Sequence, residues 1–306
     1  MIGKILAFLV AIGMGSNEES FSCVVASKSL KIKWIVGLTS IAVLFGAMFF
    51  GQLVSETFNE LTNITPTKSF MVAVLLSIGL WFAIANVFKL PISTTTSVVG
   101  ALSGAALMLG GDINLGIIRS IILSWFFSPI IGLLFAYFFD KFIQFLIFKN
   151  THNFRQREII ERISSRLLLL ITLILVFFRG ANDVANAVFF FVPADPFKFK
   201  MLGAIGMSLG SLFFSGRLIK EVGTKLTELN PSASLSTQIS SMLVVSLFTF
   251  LKMPISGSTV FVSGLIGSGL ARNKKVNTNT FYNMFFSWII TLPMCALFSA
   301  IFVSFF

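Results

Sequence analysis

The sequence predicts an all-α polytopic membrane protein: two inverted-topology repeats of about five membrane segments each, with broken helices or re-entrant hairpins. Three observations carry this expectation: an apolar, charge-poor composition, a chain that is written twice, and basic residues gathered in alternate loops. Hydrophobic residues make up 56% of the 306 and charged residues only 11%, with a mean hydropathy of +0.92. A soluble domain carries roughly 25% charged residues to keep its surface wet, so a water-soluble fold is excluded. Several apolar stretches approach the roughly 20 residues that a helix needs to cross hydrocarbon, and 37 phenylalanines are spread through them, as suits a lipid-facing surface. The net charge of +11 lies mostly in loops between apolar runs, which points to membrane orientation and away from nucleic acid. Cys23 and Cys295 stand inside apolar segments without metal-ligand spacing and read as packing residues.

The duplication sets the elements in order. Gly15-Ser16-Asn17-Glu18 matches Gly180-Ala181-Asn182-Asp183 at a shift of 165, and Gly51–Glu56 matches Gly216–Glu221 at the same shift. Pro66 matches Pro231, also at 165; Pro91-Ile92-Ser93 matches Pro254-Ile255-Ser256, and Ser124-Trp125 matches Ser287-Trp288, both at 163. The first copy reads as apolar segments 2–27 (broken near Gly13–Gly15), 34–51, 70–88, 91–109 and 115–140. The second reads as 167–190 (broken at Gly180), 201–215, 236–252, 254–271 and 281–306. Lys4 followed by Ile5–Ile12 resembles a short signal peptide, but the same segment recurs mid-chain, so it is taken as the first half of a broken membrane helix. The expected division is a first repeat over 1–148, a cytoplasmic linker over 149–166 and a second repeat over 167–306.

An odd number of spans per copy inserts the second copy upside down, the plan of many secondary transporters. With both termini outside, the inner loops hold Lys28, Lys31 and Lys33; Lys149, Arg155, Arg157, Arg162 and Arg166; Arg217, Lys220 and Lys225; and Arg272, Lys274 and Lys275. The outer loops hold only Lys68, Lys198 and Lys200. The counterpart of the Arg217–Lys225 loop is Gln52–Glu60, which has no basic residue, and inversion predicts that contrast. The pair 91–109 and 254–271 reads either as full spans or as re-entrant hairpins.

Of the acidic residues, Glu18, Glu19 and Asp183 sit beside glycines within apolar segments, and Glu18 and Asp183 are repeat equivalents. An ionised side chain at the bilayer centre costs at least about 2.5–3.5 kcal/mol, so it needs a compensating partner. Asparagine precedes the acid in both copies, so Asn17, Glu18, Asn182 and Asp183 offer oxygen ligands for a hard monovalent cation; glycine is expected to open the helix there. The alternative is a structural hydrogen-bond pair between helices. The second landmark is Pro91-Ile-Ser-Thr-Thr-Thr-Ser97 with its partner Pro254-Ile-Ser-Gly-Ser-Thr259. Proline fits a first helical turn, and hydroxyl residues beside unpaired backbone N–H groups make an anion site. Two inverted copies aim two such ends at one point near the midplane, although serine and threonine also serve ordinary packing between membrane helices.

On these motifs the chain resembles the inorganic phosphate transporter (PiT) family. Gly180-Ala-Asn-Asp-Val-Ala-Asn-Ala187 looks like that family's signature, and the Pro-Ile-Ser runs, Glu228-Leu-Asn-Pro231 and the late Ser-Trp sit where the family has them. The resemblance covers nearly the whole chain and implies an ion-coupled phosphate permease in the cell membrane, often homodimeric. It places Asn182, Asp183 and Asn186 on ion and substrate positions, with Asn17 and Glu18 as first-copy counterparts. Ser93, Thr94, Thr95, Ser256, Ser258 and Thr259 fall on phosphate-cradling positions. Glu18 stands where aspartate is usual, Phe21 where a second asparagine is expected, and Thr96 and Thr259 where histidine often follows the hydroxyl run. His152, the only histidine, lies in the central polar stretch. Arg179, directly before the signature, either pairs with Asp183 or meets the anion.

The expected function is import of inorganic phosphate coupled to sodium, with proton coupling as the alternative ion and sulfate as the alternative oxyanion. Sodium is favoured because carboxylates and amides are present without a histidine near neutrality, and because the resemblance implies it. The sequence has no metal cluster, no nucleophile beside a histidine and no nucleotide loop, so no enzyme and no cofactor beyond the coupling ion are expected.

Overall fold

The computed structural model describes residues 1–26, 32–88, 92–150, 153–215, 219 and 230–305. Pro91, His152 and, apart from Ile219, the Arg217–Lys225 loop therefore lie outside the described residues. Thirteen helices are present among those described. They are α1 (Ile2–Ser16), α2 (Ser22–Ala26), α3 (Ile32–Phe50), α4 (Gln52–Asn59), α5 (Lys68–Phe88), α6 (Thr94–Met108) and α7 (Leu115–Asn150). After these come α8 (Phe154–Asp183), α9 (Ala185–Val188), α10 (Pro196–Phe214), α11 (Pro231–Phe250), α12 (Gly257–Ala271) and α13 (Thr278–Phe305). Six of these are long and apolar enough to cross a membrane, and α3 with α4 forms a further candidate bent by 59° at Gly51. Glycine is required at that bend, because a β-carbon on Gly51 would collide with the Ala47 carbonyl and the Val184 side chain.

The duplication is visible in the elements. Helices α6 and α12 begin and end 163 residues apart, α7 and α13 begin at the same spacing, and α3 and α10 differ by 164. Even the exits match. Gly110 after α6 and Asn273 after α12 both take positive φ, +71° and +54°. In each, the next N–H reaches back to a helical carbonyl, Gly111 to Ala106 and Lys274 to Gly269, both at 2.9 Å, which closes a Schellman motif.

The two copies interlock instead of folding side by side. Helix α1 packs on α10 and α3 on α8; α6 packs on α13 and α12 on α7. Glycines make these crossings close. A β-carbon on Gly15 would strike the Met207 carbonyl, and one on Gly180 would lie 2.5 Å from the Val43 carbonyl oxygen. This corrects one expectation: Gly15 and Gly180 are helical packing residues and do not open the helix. The breaks come later, at Asn17–Phe21 between α1 and α2, and at Val184 between α8 and α9.

Helices α6 and α12 have 15 residues each, about 22 Å of rise, short of the ~30 Å hydrocarbon core. They form hairpins with α5 and α11, on which they pack, and they are buried along most of their length. Helices α7 and α13 lie outermost, with phenylalanines such as Phe138 and Phe286 exposed. The polar stretch 149–166 is largely helical: α7 continues through Asn150, and α8 starts at Phe154 behind a capping box of Asn153 and Gln156.

Candidate functional site

The short helices α6 and α12 meet at their N-termini. Ser93 and Ser256 are the N-caps; their oxygens accept from the Thr96 and Thr259 backbone N–H groups at 3.2 and 3.3 Å. This moves the expected start: helix begins after the serines, and Pro254 lies ahead of the cap, outside the first turn. The two ends touch, because the Thr95 hydroxyl donates to the Ile255 carbonyl at 2.7 Å. Two positive helix ends close together need a negative counterpart.

Each approach loop is held by one asparagine through a donated and an accepted bond, and the accepted bond comes from equivalent isoleucines, Ile92 and Ile255. Asn17 donates to the Ile92 carbonyl at 2.7 Å and accepts from the Ile92 N–H at 3.3 Å. Asn182 donates to the Met253 carbonyl at 3.2 Å and accepts from the Ile255 N–H at 3.3 Å. These amides position the cradle; their oxygens already have protein partners.

The negative counterpart lies on one side of the meeting point. Arg179 Nη1 donates to Glu18 at 2.7 Å, to Glu19 at 2.9 Å and to the Ser20 hydroxyl at 2.7 Å, and its Nε faces Asp183 at 3.5 Å. All four charged side chains are buried, Glu19 completely. The guanidinium lies over the first residue of α12, where a β-carbon on Gly257 would sit 2.8 Å from Nε. Ser258 donates to Glu19 at 3.1 Å. Thr94 donates to Asp183, and Asn186 donates to both Thr94 and Asp183, each at 3.4 Å. The second side is a cavity of about 390 Å³ that is lined by Ser93, Thr96, Ser256 and Thr259, with Trp125 and Trp288 from α7 and α13. Both indole N–H groups are hidden and lack a partner among the described residues.

The expected residues therefore divide. Ser93, Ser256 and Thr259 face the cavity, Thr94, Ser258, Asn186, Glu18 and Asp183 face the carboxylate cluster, and Thr95 ties the two helix ends together. Arg179, left open by the sequence, pairs with the carboxylates. Sequence reasoning missed the tryptophans, Ser20 and Gln238, whose Nε2 donates to the Ser20 carbonyl at 2.6 Å. The repeat-matched Ser-Trp was the signal for the tryptophans. It also passed over Asp140, fully buried on α7, which receives Arg272 Nε at 2.8 Å and Nη2 at 2.8 Å.

The phosphate transporter family model matches residues 12–299. A protein of Thermococcus kodakarensis named "Putative phosphate permease TK2061" is 27% identical over 98% of this chain and 96% of its own length. "Putative phosphate permease MJ0630" of Methanocaldococcus jannaschii is 28% identical over 96% and 93%. A solved structure titled "The sodium-dependent phosphate transporter" shares the fold, with a TM-score of 0.89 and 24% identity over 99% of this chain and 98% of that one. The broken helices, the two converging hydroxyl-capped helix ends and these matches agree: the chain is a multi-pass membrane protein that belongs to the phosphate transporter family.

Proposed function

We propose that this protein imports inorganic phosphate across the cell membrane together with sodium ions. One observation carries the reading: two serine-capped helix N-termini, supplied by the two copies of the repeat, converge beside a buried carboxylate cluster. The unpaired N–H groups of two helix ends attract an anion, and the hydroxyls of Ser93, Thr94, Thr95, Ser256, Ser258 and Thr259 with the Asn186 amide complete its cradle. Glu18 and Asp183 are the charges that a coupling cation would neutralise, and Asn17 and Asn182, the residue just before each acid, offer it their amide oxygens, each of which accepts only one backbone N–H among the described residues. The same reading puts both termini outside and 149–166 in the cytoplasm, treats 1–148 and 167–306 as inverted halves, and takes the assembly to be a homodimer.

Phosphate is preferred to sulfate because it still carries a proton to donate near neutral pH. A buried carboxylate such as Asp183 satisfies that proton, whereas sulfate would face it with lone pairs only, and a site built to bond a substrate O–H rejects an analogue without one by large factors. Uptake of labelled phosphate into proteoliposomes tests all of this. An inward sodium gradient should drive accumulation, a pH gradient alone should not, and a tenfold excess of sulfate should leave uptake intact. Accumulation that follows the pH gradient and ignores sodium would replace sodium by protons; competition by sulfate would replace the substrate.

A further inference from the structure

We infer that Arg179 is a tethered counter-cation that takes the place of one coupling ion, so that this residue helps set how many sodium ions accompany each phosphate. The inference rests on the reading above and goes beyond it. Its basis is position. Glu18 and Asp183 are the repeat-equivalent carboxylates, one from each copy, and the guanidinium lies between them, 2.7 Å from the first and 3.5 Å from the second. A diffusible cation shared by the two acids would have to occupy that same space.

The repeat shows that the arrangement is an addition. At the shift of 165, Arg179 corresponds to Met14, a buried apolar residue, and Glu19 corresponds to Val184. The base and the third acid occur once each and bond one another at 2.9 Å. Arginine keeps its charge at every physiological pH and cannot leave with the substrate, so it supplies positive charge in both loaded and empty states. The surroundings still have capacity for ions: the Asn186 Oδ1 and Gln238 Oε1 oxygens are buried without a partner among the described residues. Three carboxylates against one guanidinium leave acid charge for mobile cations to neutralise.

The number of ions should therefore follow the fixed charge. Wild-type protein and the variants Arg179→Met, Glu19→Gln and Arg179→Met/Glu19→Gln would be reconstituted, and the net charge moved per phosphate read from reversal potentials. Sodium titration of phosphate uptake gives an independent count. Arg179→Met should raise the charge per phosphate by about one and Glu19→Gln should lower it by about one, while the double variant returns to the wild-type value. Arg179→Lys keeps the charge and should keep the count. If Arg179→Met fails to fold, Glu19→Gln alone still decides, because a purely structural ion pair leaves its count unchanged. Wild-type counts in the folded single variants overturn the inference while the transport reading stands. A loss of phosphate affinity in Arg179→Met that no sodium concentration restores also overturns it, since the guanidinium would then be holding the anion. Wild-type protein that moves no phosphate refutes the transport reading and this inference with it.

Discussion

Asn17 and Asn182 show how much one residue type can decide at this centre. Each clamps the strand of chain just ahead of a short helix through a donor and an acceptor, with bonds of 2.7 and 3.3 Å in the first copy and 3.2 and 3.3 Å in the second. Asn17→Asp would remove the donor and aim a second oxygen at a carbonyl, and each lost bond to a buried group costs about 1–3 kcal/mol. Asn17→Asp and Asn182→Asp should therefore weaken phosphate binding to a similar degree, about tenfold or more at 1.4 kcal/mol per decade, as measured by calorimetry on monodisperse protein. Unequal effects, with one variant at wild-type affinity, would mean that only one helix end holds the anion. The serine caps give a companion expectation. Ser93→Ala and Ser256→Ala each lose an N-cap that contributes about 0.5–2 kcal/mol, so each should reduce affinity, and Ser93→Thr, which can still cap, should not. That these residues form matched pairs was legible from their repetition in sequence. Their division into cap, clamp and cluster was not, because the partner of Asn17 lies 75 residues away and that of Arg179 lies 161 away.

At the level of elements, the two copies differ at one end. Asp140 on α7 is sealed from solvent and receives the Arg272 guanidinium, the Ser236 hydroxyl at 3.0 Å and the Gln144 amide at 2.6 Å. Arg272 also reaches Ser232 at 2.9 Å, and Ser232 in turn donates to Glu161 at 2.8 Å. Helices α7, α8 and α11 and the end of α12 are thereby joined by charge. The matching positions in the other copy are Val303 and Leu109, which have no such chemistry. Removing one partner of a buried ion pair costs about 3–5 kcal/mol, because the other charge is left alone. Arg272→Met should accordingly lower the unfolding temperature of purified protein markedly, and Asp140→Asn/Arg272→Met should recover a large part of that loss. An unaffected melting temperature in Arg272→Met would show that water reaches Asp140. The sequence did not single out this pair, since Asp140 sits in an apolar run with no glycine or repeat signal beside it. The helix exits were readable only in part: Gly110 announces a left-handed residue, whereas Asn273 takes that conformation with a side chain that tolerates it less readily.

For the whole molecule, the orientation of the interlocked halves in the bilayer is the quantity to measure. Asn153 is exposed between α7 and α8, and a cysteine placed there in a variant freed of Cys23 and Cys295 should resist an impermeant thiol reagent in intact cells and react after lysis. Rapid modification from outside would turn the topology over and leave the fold unchanged. Two copies, the charge bias of their loops and the apolar segments follow from the sequence alone, because solvation by lipid and duplication act on residues wherever they lie in the chain. The helix breaks are displaced from the glycines, however, because Gly15 and Gly180 answer to a neighbouring backbone, Met207 and Val43, that only the folded chain brings near. Arg179 follows the same rule. Its charge and its neighbour one turn on, Asp183, are written in the sequence, but its pairing with Glu18 and Glu19 arises where two copies cross, since ion pairing in a buried site depends on distances of a few ångströms between residues that sequence order does not relate.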